Sequence, residues 1–294
     1  MERPEWVDSE LYPFQDHWID VDGCNVHYVD EGTGPPLLML HGNPTWSFTW
    51  RDVIKGVSDR YRCIAIDYPG FGLSTAGSGY GFSPPEHARV VEQFVMELDL
   101  NEVTLLCHDW GGPIGFAAAA RLPDRFIAFA IGNTWAWPMN KNTGAQVFSR
   151  FLGGPMGGYL IKRRNFFVER IIPSGTKRVG PDDRVMEHYR RPFPTPESRV
   201  PMHVFPRAII AETAWLAEVE KGLASVDDRH ALIVWPTRDQ AFREAERKRW
   251  EEIFFDHRTA LLEGAGHYIG EDAAGELVAA LRERRRVPRS GDAA

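Results

Sequence analysis

Two periodicities alternate along the chain. Leu37-Leu38-Met39-Leu40, Arg62-Cys63-Ile64-Ala65-Ile66, Val103-Thr104-Leu105-Leu106-Cys107 and the stretches 126–131, 231–235 and 259–262 are short apolar runs. Runs of this length without polar alternation mark strands covered on both faces, as in a parallel sheet. Between them the spacing turns helical. Val90, Val91, Phe94, Val95 and Leu98 share one side of a helix over 85–100, a helix-forming run ends at Arg121, a charged helix covers 242–254, and a final one covers 271 to about 285. Strand-like pieces flank Asp22-Gly23, a turn signal, which predicts a strand pair within 17–28. The alternation predicts an α/β domain with a mostly parallel sheet and helices on both faces.

The pattern breaks after Trp137-Pro138. From 138 to 215 no sheet-like run occurs, and helical spacing is interrupted by Gly153-Gly154-Pro155, Pro173-Ser174-Gly175 and Pro192-Phe193-Pro194-Thr195-Pro196. This predicts a core made of 1–137 and 216–294, with a helical cap at 138–215 inserted between strands six and seven. The last five residues, Ser290-Gly291-Asp292-Ala293-Ala294, are expected to be disordered.

Composition narrows the function. The 294 residues are 43% hydrophobic with net charge −7, enough for a large core. No basic stripe stands out, so nucleic acid is not an expected partner. The run Arg282-Glu283-Arg284-Arg285-Arg286 reads as a solvated helix end. Cys24, Cys63 and Cys107 lack metal spacing and read as small buried hydrophobes of a reducing compartment. No metal or organic cofactor is implied. The first residues lack a signal-peptide apolar core, and no apolar run reaches the ~18 residues of a membrane span. A cytosolic protein without a membrane partner is expected.

The candidate chemistry centres on Cys107-His108-Asp109-Trp110-Gly111-Gly112-Pro113-Ile114-Gly115. This is strand, sharp glycine turn, helix: the setting of a nucleophile elbow. Serine usually occupies the held position; here it is Asp109. An aspartate, with a reference pKa of roughly 3.9, is already anionic near neutral pH, and helix N-terminal amides favour that anion further. A carboxylate attacks amides poorly, but it can displace a good leaving group from an sp³ carbon. Alternatively, Asp109 simply caps the helix. Asp239 and His267 also follow strand ends, and the order nucleophile, acid, base is that of the α/β-hydrolase triad. Taken singly, Asp239 reads as a turn residue and His267 as a loop residue.

From about Leu11 to the last helix the chain resembles the haloalkane dehalogenases of the α/β-hydrolase superfamily. The resemblance rests on His41-Gly42-Asn43-Pro44-Thr45-Trp46, Asp67-Tyr68-Pro69-Gly70-Phe71-Gly72-Leu73-Ser74, His108-Asp109-Trp110-Gly111-Gly112 and Gly264-Ala265-Gly266-His267. It is most similar to the third subfamily, which places an Asp after strand seven and holds halide with an Asn–Trp pair. Another subfamily has Glu after strand six, where this chain reads Gly132-Asn133-Thr134. The family glycine is replaced by Pro236. The resemblance implies that Asp109 is the nucleophile, His267 the base for ester hydrolysis and Asp239 its orienting acid. It implies that Asn43 and Trp110 hold the halide, and that their backbone N–H groups hold the ester oxyanion. It further implies a small apolar halogenated substrate, water and halide as partners, and possible self-association.

Phe151, Phe166, Phe167 and Phe193, with Trp135 and Trp137 at the entrance, are the candidate apolar walls. His41, His108 and Asp67 read as structural, His108 through a local hydrogen bond. An epoxide hydrolase is the nearest alternative and would need cap tyrosines, Tyr159 or Tyr189, to protonate the epoxide oxygen. A dehalogenase of fluoroacetate type would want arginines beside the nucleophile, and 110–115 has none. A non-catalytic receptor on the same fold is a more distant alternative.

Overall fold

A computed structural model describes residues 2–283. The two opening strands, β1 (Asp16–Val21) and β2 (Cys24–Glu31), pair antiparallel around Asp22-Gly23. Then come β3 (Pro36–Leu40), α1 (Arg51–Val57), β4 (Arg62–Ile66), α2 (Pro84–Glu97), β5 (Val103–Asp109), α3 (Gly111–Arg121) and β6 (Phe126–Thr134). Six helices follow: α4 (Thr143–Leu152), α5 (Pro155–Arg164), α6 (Ile172–Gly175), α7 (Asp183–Arg190), α8 (Val200–Ala211) and α9 (Thr213–Gly222). A π-helical turn, Phe167–Ile171, leads into α6. The chain closes with β7 (His230–Pro236), α10 (Glu244–Ile253), β8 (His257–Leu262), α11 (Ile269–Asp272) and α12 (Ala274–Arg282).

The strands form one sheet in the order β1-β2-β4-β3-β5-β6-β7-β8, parallel from β4 onward, with β2 antiparallel to both its neighbours. The chain thus builds outward from β3 in both directions, and ligands of such sheets bind beyond the carboxyl ends of the strands. The continuous apolar runs of β3, β4, β5 and β7 are buried, as strands covered on both faces must be. The three cysteines are free and buried.

Several boundaries differ from the sequence expectation, each for a physical reason. β5 continues through His108 and Asp109, and β6 through Thr134. Their backbones pair (His108 with Gly132, Asp109 with Thr134), and ladder bonds do not require apolar side chains. The final helix is two: Ala273, with φ −150°, leaves the helical region and separates α11 from α12. α10 starts two residues late because Phe242 is drawn inward, stacking on Trp135 at 5.1 Å. Arg282, at the end of α12, pairs at the surface with Asp59 at 2.7 Å, in keeping with a solvated helix end. Arg284 to Arg286 and the tail 290–294 lie outside the described residues.

Between β6 and β7 no strand occurs. α4 and α5 pack on α8, and α9 crosses residue 215 to pack on α3.

Candidate active site

Asp109 ends β5 at φ 50°, a left-handed conformation that side chains other than glycine seldom adopt. The sharp reversal into α3 lifts the carboxyl above the sheet. Gly42, after β3, permits the close approach: a Cβ there would lie 2.3 Å from Asp109 Oδ1. The Asn43 backbone N–H donates to Oδ1 at 2.8 Å, and the Trp110 backbone N–H also reaches the carboxylate. The Thr134 hydroxyl donates to the Asp109 carbonyl, tying the elbow to β6. Burial is the largest influence on the carboxyl and pushes its pKa up. The charge of His267 and the two backbone N–H groups oppose this, but the net position is above the usual value of 3.8. The helix amides therefore do not hold this acid low, contrary to the sequence expectation, because a dehydrated charge costs more than two N–H groups return.

The three expected catalytic residues stand in one line. His267 Nε2 is 3.8 Å from Asp109 Oδ2, and His267 Nδ1 is 2.9 Å from Asp239 Oδ2. Asp239 uses its other oxygen, Oδ1, to accept the Ala241 N–H at 2.7 Å. The turn role and the partner role thus fall to different oxygens of one side chain. Burial alone would lower the His267 pKa, but the Asp239 charge and hydrogen bond, with the Asp109 charge, bring it above 6.5. Asp239 is moved the other way. Burial would raise it, but the charge and hydrogen bond of His267, then the Asn133 amide, hold it below 3.8.

Asn133 was not singled out from sequence. Its Nδ2 donates to Asp239 Oδ2 at 2.8 Å and to the His267 carbonyl at 2.7 Å, so one amide ties Asp239 and the His267 backbone together. The one signal was positional: it ends a strand where a related subfamily carries its acid. His108 does not bond locally; its Nε2 lies 2.9 Å from the carbonyl of His267, across the sheet. His41 shapes its loop as expected, with Nδ1 2.9 Å from the Gly42 carbonyl. Asp67 fixes its turn by accepting the Leu73 N–H at 2.9 Å.

Asn43 is buried beside Asp109. Its Nδ2 donates to the Met202 carbonyl on α8 at 3.3 Å, and its Oδ1 is buried without a partner. An amide nitrogen carries two hydrogens, so one donor remains for a ligand. The Trp110 ring is buried between Trp135, at 4.7 Å and T-shaped, and Phe205 of α8, at 5.2 Å. Phe242 stacks on both Trp135 and His267. Phe205 of α8, which no sequence motif marks, thus packs on the Trp110 ring beside Asp109. Phe193 packs on Phe71 at 5.8 Å. Two expected wall residues lie elsewhere. Phe151 is exposed on the outer side of α4, and Trp137 packs between Trp250 and Arg249. The tyrosines needed by an epoxide hydrolase are also displaced: Tyr189 donates its hydroxyl to Glu271, and Tyr159 faces outward, half-exposed. Among the described residues no cluster of three His, Cys, Asp or Glu could hold a metal ion.

A family model described as the alpha/beta hydrolase fold matches residues 35–274. "Haloalkane dehalogenase 2" of Mycobacterium tuberculosis is 44% identical over 279 residues, covering 94% of this chain and 97% of the relative. A cis-3-alkyl-4-alkyloxetan-2-one decarboxylase of Xanthomonas campestris is 31% identical over 293 residues, covering 92% of this chain and 96% of the relative. Among solved structures, haloalkane dehalogenase DbeA of Bradyrhizobium elkani is 26% identical with a TM-score of 0.83, covering 91% of this chain and 96% of that one.

Proposed function

Since the chain belongs to the haloalkane dehalogenase family of α/β hydrolases, we propose that it converts haloalkanes to alcohols through an ester on Asp109. The observation that carries this reading is the Asp109–His267–Asp239 line at three strand ends, with Asp109 on a strained elbow. Asp109 Oδ1 is held by the Asn43 N–H, which leaves Oδ2 to attack. A C–O bond forms as the carbon–halogen bond breaks from the opposite side. The halide leaves toward the Asn43 amide and the Trp110 indole N–H, donors in an apolar setting where they act strongly.

His267 Nε2 then takes a proton from water, and the resulting hydroxide adds to the ester carbonyl carbon. The oxyanion accepts from the backbone N–H groups of Asn43 and Trp110. Collapse expels the alkoxide, which takes the proton from His267. The sum is haloalkane plus water giving alcohol, halide and a proton. Asp239 keeps the imidazole in the tautomer with a bare Nε2 and stabilises its charged form. The helices between β6 and β7 would roof the site, with Phe205 against the substrate.

The test is halide release from 1-bromobutane and 1,2-dibromoethane by the wild type, Asp109→Ala and His267→Gln. Bromide should come from the wild type and not from Asp109→Ala. His267→Gln should release one equivalent and retain an alkyl ester on Asp109, read by peptide mass. Diol from styrene oxide without any bromide would instead favour the epoxide hydrolase.

A second reading is favoured by the 31% identity to the oxetanone decarboxylase relative. Asp109 could open a cis-3,4-dialkyl β-lactone at its sp³ ring carbon, the ring carboxylate leaving. Loss of carbon dioxide with expulsion of Asp109 would yield an alkene. This path consumes no water, so alkene formation that survives in His267→Gln would separate it from dehalogenation.

A further inference from the structure

The cap carries an outer face that the reaction does not use. Nine large hydrophobic residues are exposed among the described residues, and five of them fall within 147–159: Val147, Phe148, Phe151, Met156 and Tyr159, between 40 and 61% exposed. The first three lie on one side of α4, and Met156 and Tyr159 lie one turn apart on α5. The inner sides of both helices rest on α8. Gly158 lies so close to the His203 ring that a Cβ there would come within 2.9 Å of it, and Ser149 Oγ lies 3.5 Å from the Arg207 carbonyl. α8 in turn presents Phe205 and the Met202 carbonyl to the site beneath. The apolar side of α4 and α5 is therefore the outermost layer of the cap.

Its charge runs against that of the molecule. The chain has net charge −7, yet no Asp or Glu occurs between Asp124 and Glu169. In that interval Lys141, Arg150, Lys162, Arg163 and Arg164 border the apolar residues. Two shallow grooves adjoin the end of α5. One, of about 490 Å³, is lined by Arg163, Arg164, Asn165 and Arg199, and by Arg190 and Arg191, which pair with Glu169 and Glu187 in the same groove. The other, of about 550 Å³, is lined by Leu160, Arg164, Phe166, Glu169 and Arg170. Asn165 is buried in the first with its Oδ1 unpartnered.

An exposed apolar side fringed by guanidinium groups is the pattern of a surface that lies on a bilayer rather than one that crosses it. We infer that α4 and α5 dock on an anionic lipid membrane, with Phe148, Phe151, Met156 and Tyr159 entering the headgroup boundary and Arg163 and Arg164 at the end of α5 taking lipid phosphates. No helix among the described residues is long and apolar enough to cross a membrane. The expectation of no membrane partner rested on that criterion, which peripheral docking does not need to meet. The inference stands independently of the reaction carried out below the cap.

Co-sedimentation of the full chain with vesicles of equal parts phosphatidylglycerol and phosphatidylcholine tests it, against vesicles of phosphatidylcholine alone. Binding to the anionic vesicles should be tighter by about tenfold or more and should weaken with salt, since each basic residue near such a surface contributes substantially. Arg163→Glu with Arg164→Glu, and separately Phe151→Ser with Met156→Ser, should each lower it by about tenfold, with bromide release in solution unchanged. Absent or equal binding to the two vesicle types overturns the inference. So does a sedimentation-velocity result in which the wild type is an oligomer that Phe151→Ser with Met156→Ser dissociates, because a second copy then covers the face.

Discussion

In the proposed ester intermediate Asp109 is neutral, so one of the charges that raises the His267 pKa in the free protein disappears. The imidazole then gives up its proton more readily at the step where it must act as a base. The sign follows: His267 works deprotonated, so hydrolysis fails as pH falls through its pKa in the ester. That acid limb should lie at lower pH than the His267 titration of the free enzyme, measured by rapid-quench single turnovers and by imidazole NMR respectively. Asn133 makes a second residue-scale prediction. A hydrogen bond to a charged group contributes about 1.5–3 kcal/mol, so Asn133→Ala should slow ester hydrolysis by roughly 10–100-fold. Alkylation should be much less affected, and the ester should accumulate. Asp109 and His267 were recognisable because their motifs are contiguous. Asn133 was not, because its two partners are 106 and 134 residues away and its role exists only in their shared geometry.

At the scale of elements, the β3 loop and the elbow work as one piece. A Cβ on Gly42 would sit 2.3 Å from both Asp109 Cβ and Oδ1, so Gly42→Ala must push the proposed nucleophile aside. A misplacement of that order costs about 10² in rate. The halide burst should slow correspondingly while ester hydrolysis, once the ester is made, changes less. Among the helices between β6 and β7, Asp182 caps α7 by accepting the Val185 N–H at 2.9 Å. Asp182→Ala should cost about 1 kcal/mol, read as a shift in urea midpoint. The strands of the sheet were legible because burial on both faces forces unbroken apolar runs. The break at Ala273 and the late start of α10 were not, since they depend on which neighbour pulls the chain inward.

Across the whole molecule, buried histidines set the response of stability to pH. His27 lies between two carboxylates, Nδ1 2.8 Å from Asp67 Oδ2 and Nε2 3.0 Å from Asp16 Oδ1. Burial would lower its pKa, but the charges of Asp67 and Asp16 and their hydrogen bonds raise it from 6.5 to about 8. The raised pKa means a stabilising contribution of about 2 kcal/mol, present in full below pH 6.5 and lost as pH rises through about 8. His41, His87 and His108 behave oppositely. Burial depresses them to about 4, 3 and 3, so the unfolded chain takes up protons first and stability falls as pH drops below 6.5. Thermal melts should therefore peak near pH 6.5 on the strength of these groups, and His27→Gln should flatten the alkaline decline. The sequence alone determined the order of the strands, the helices before β5 and before β8, the strand-free stretch between β6 and β7 and the residue at the elbow, but not α1, because burial periodicity and contiguous motifs are local properties. Only the tertiary structure decided which polar atoms meet. Asp239 and Asn133 reach His267 from separate strand ends, Phe205 comes down onto Trp110, and Phe151 turns outward. Each depends on distances between segments far apart in the chain, which no local pattern encodes.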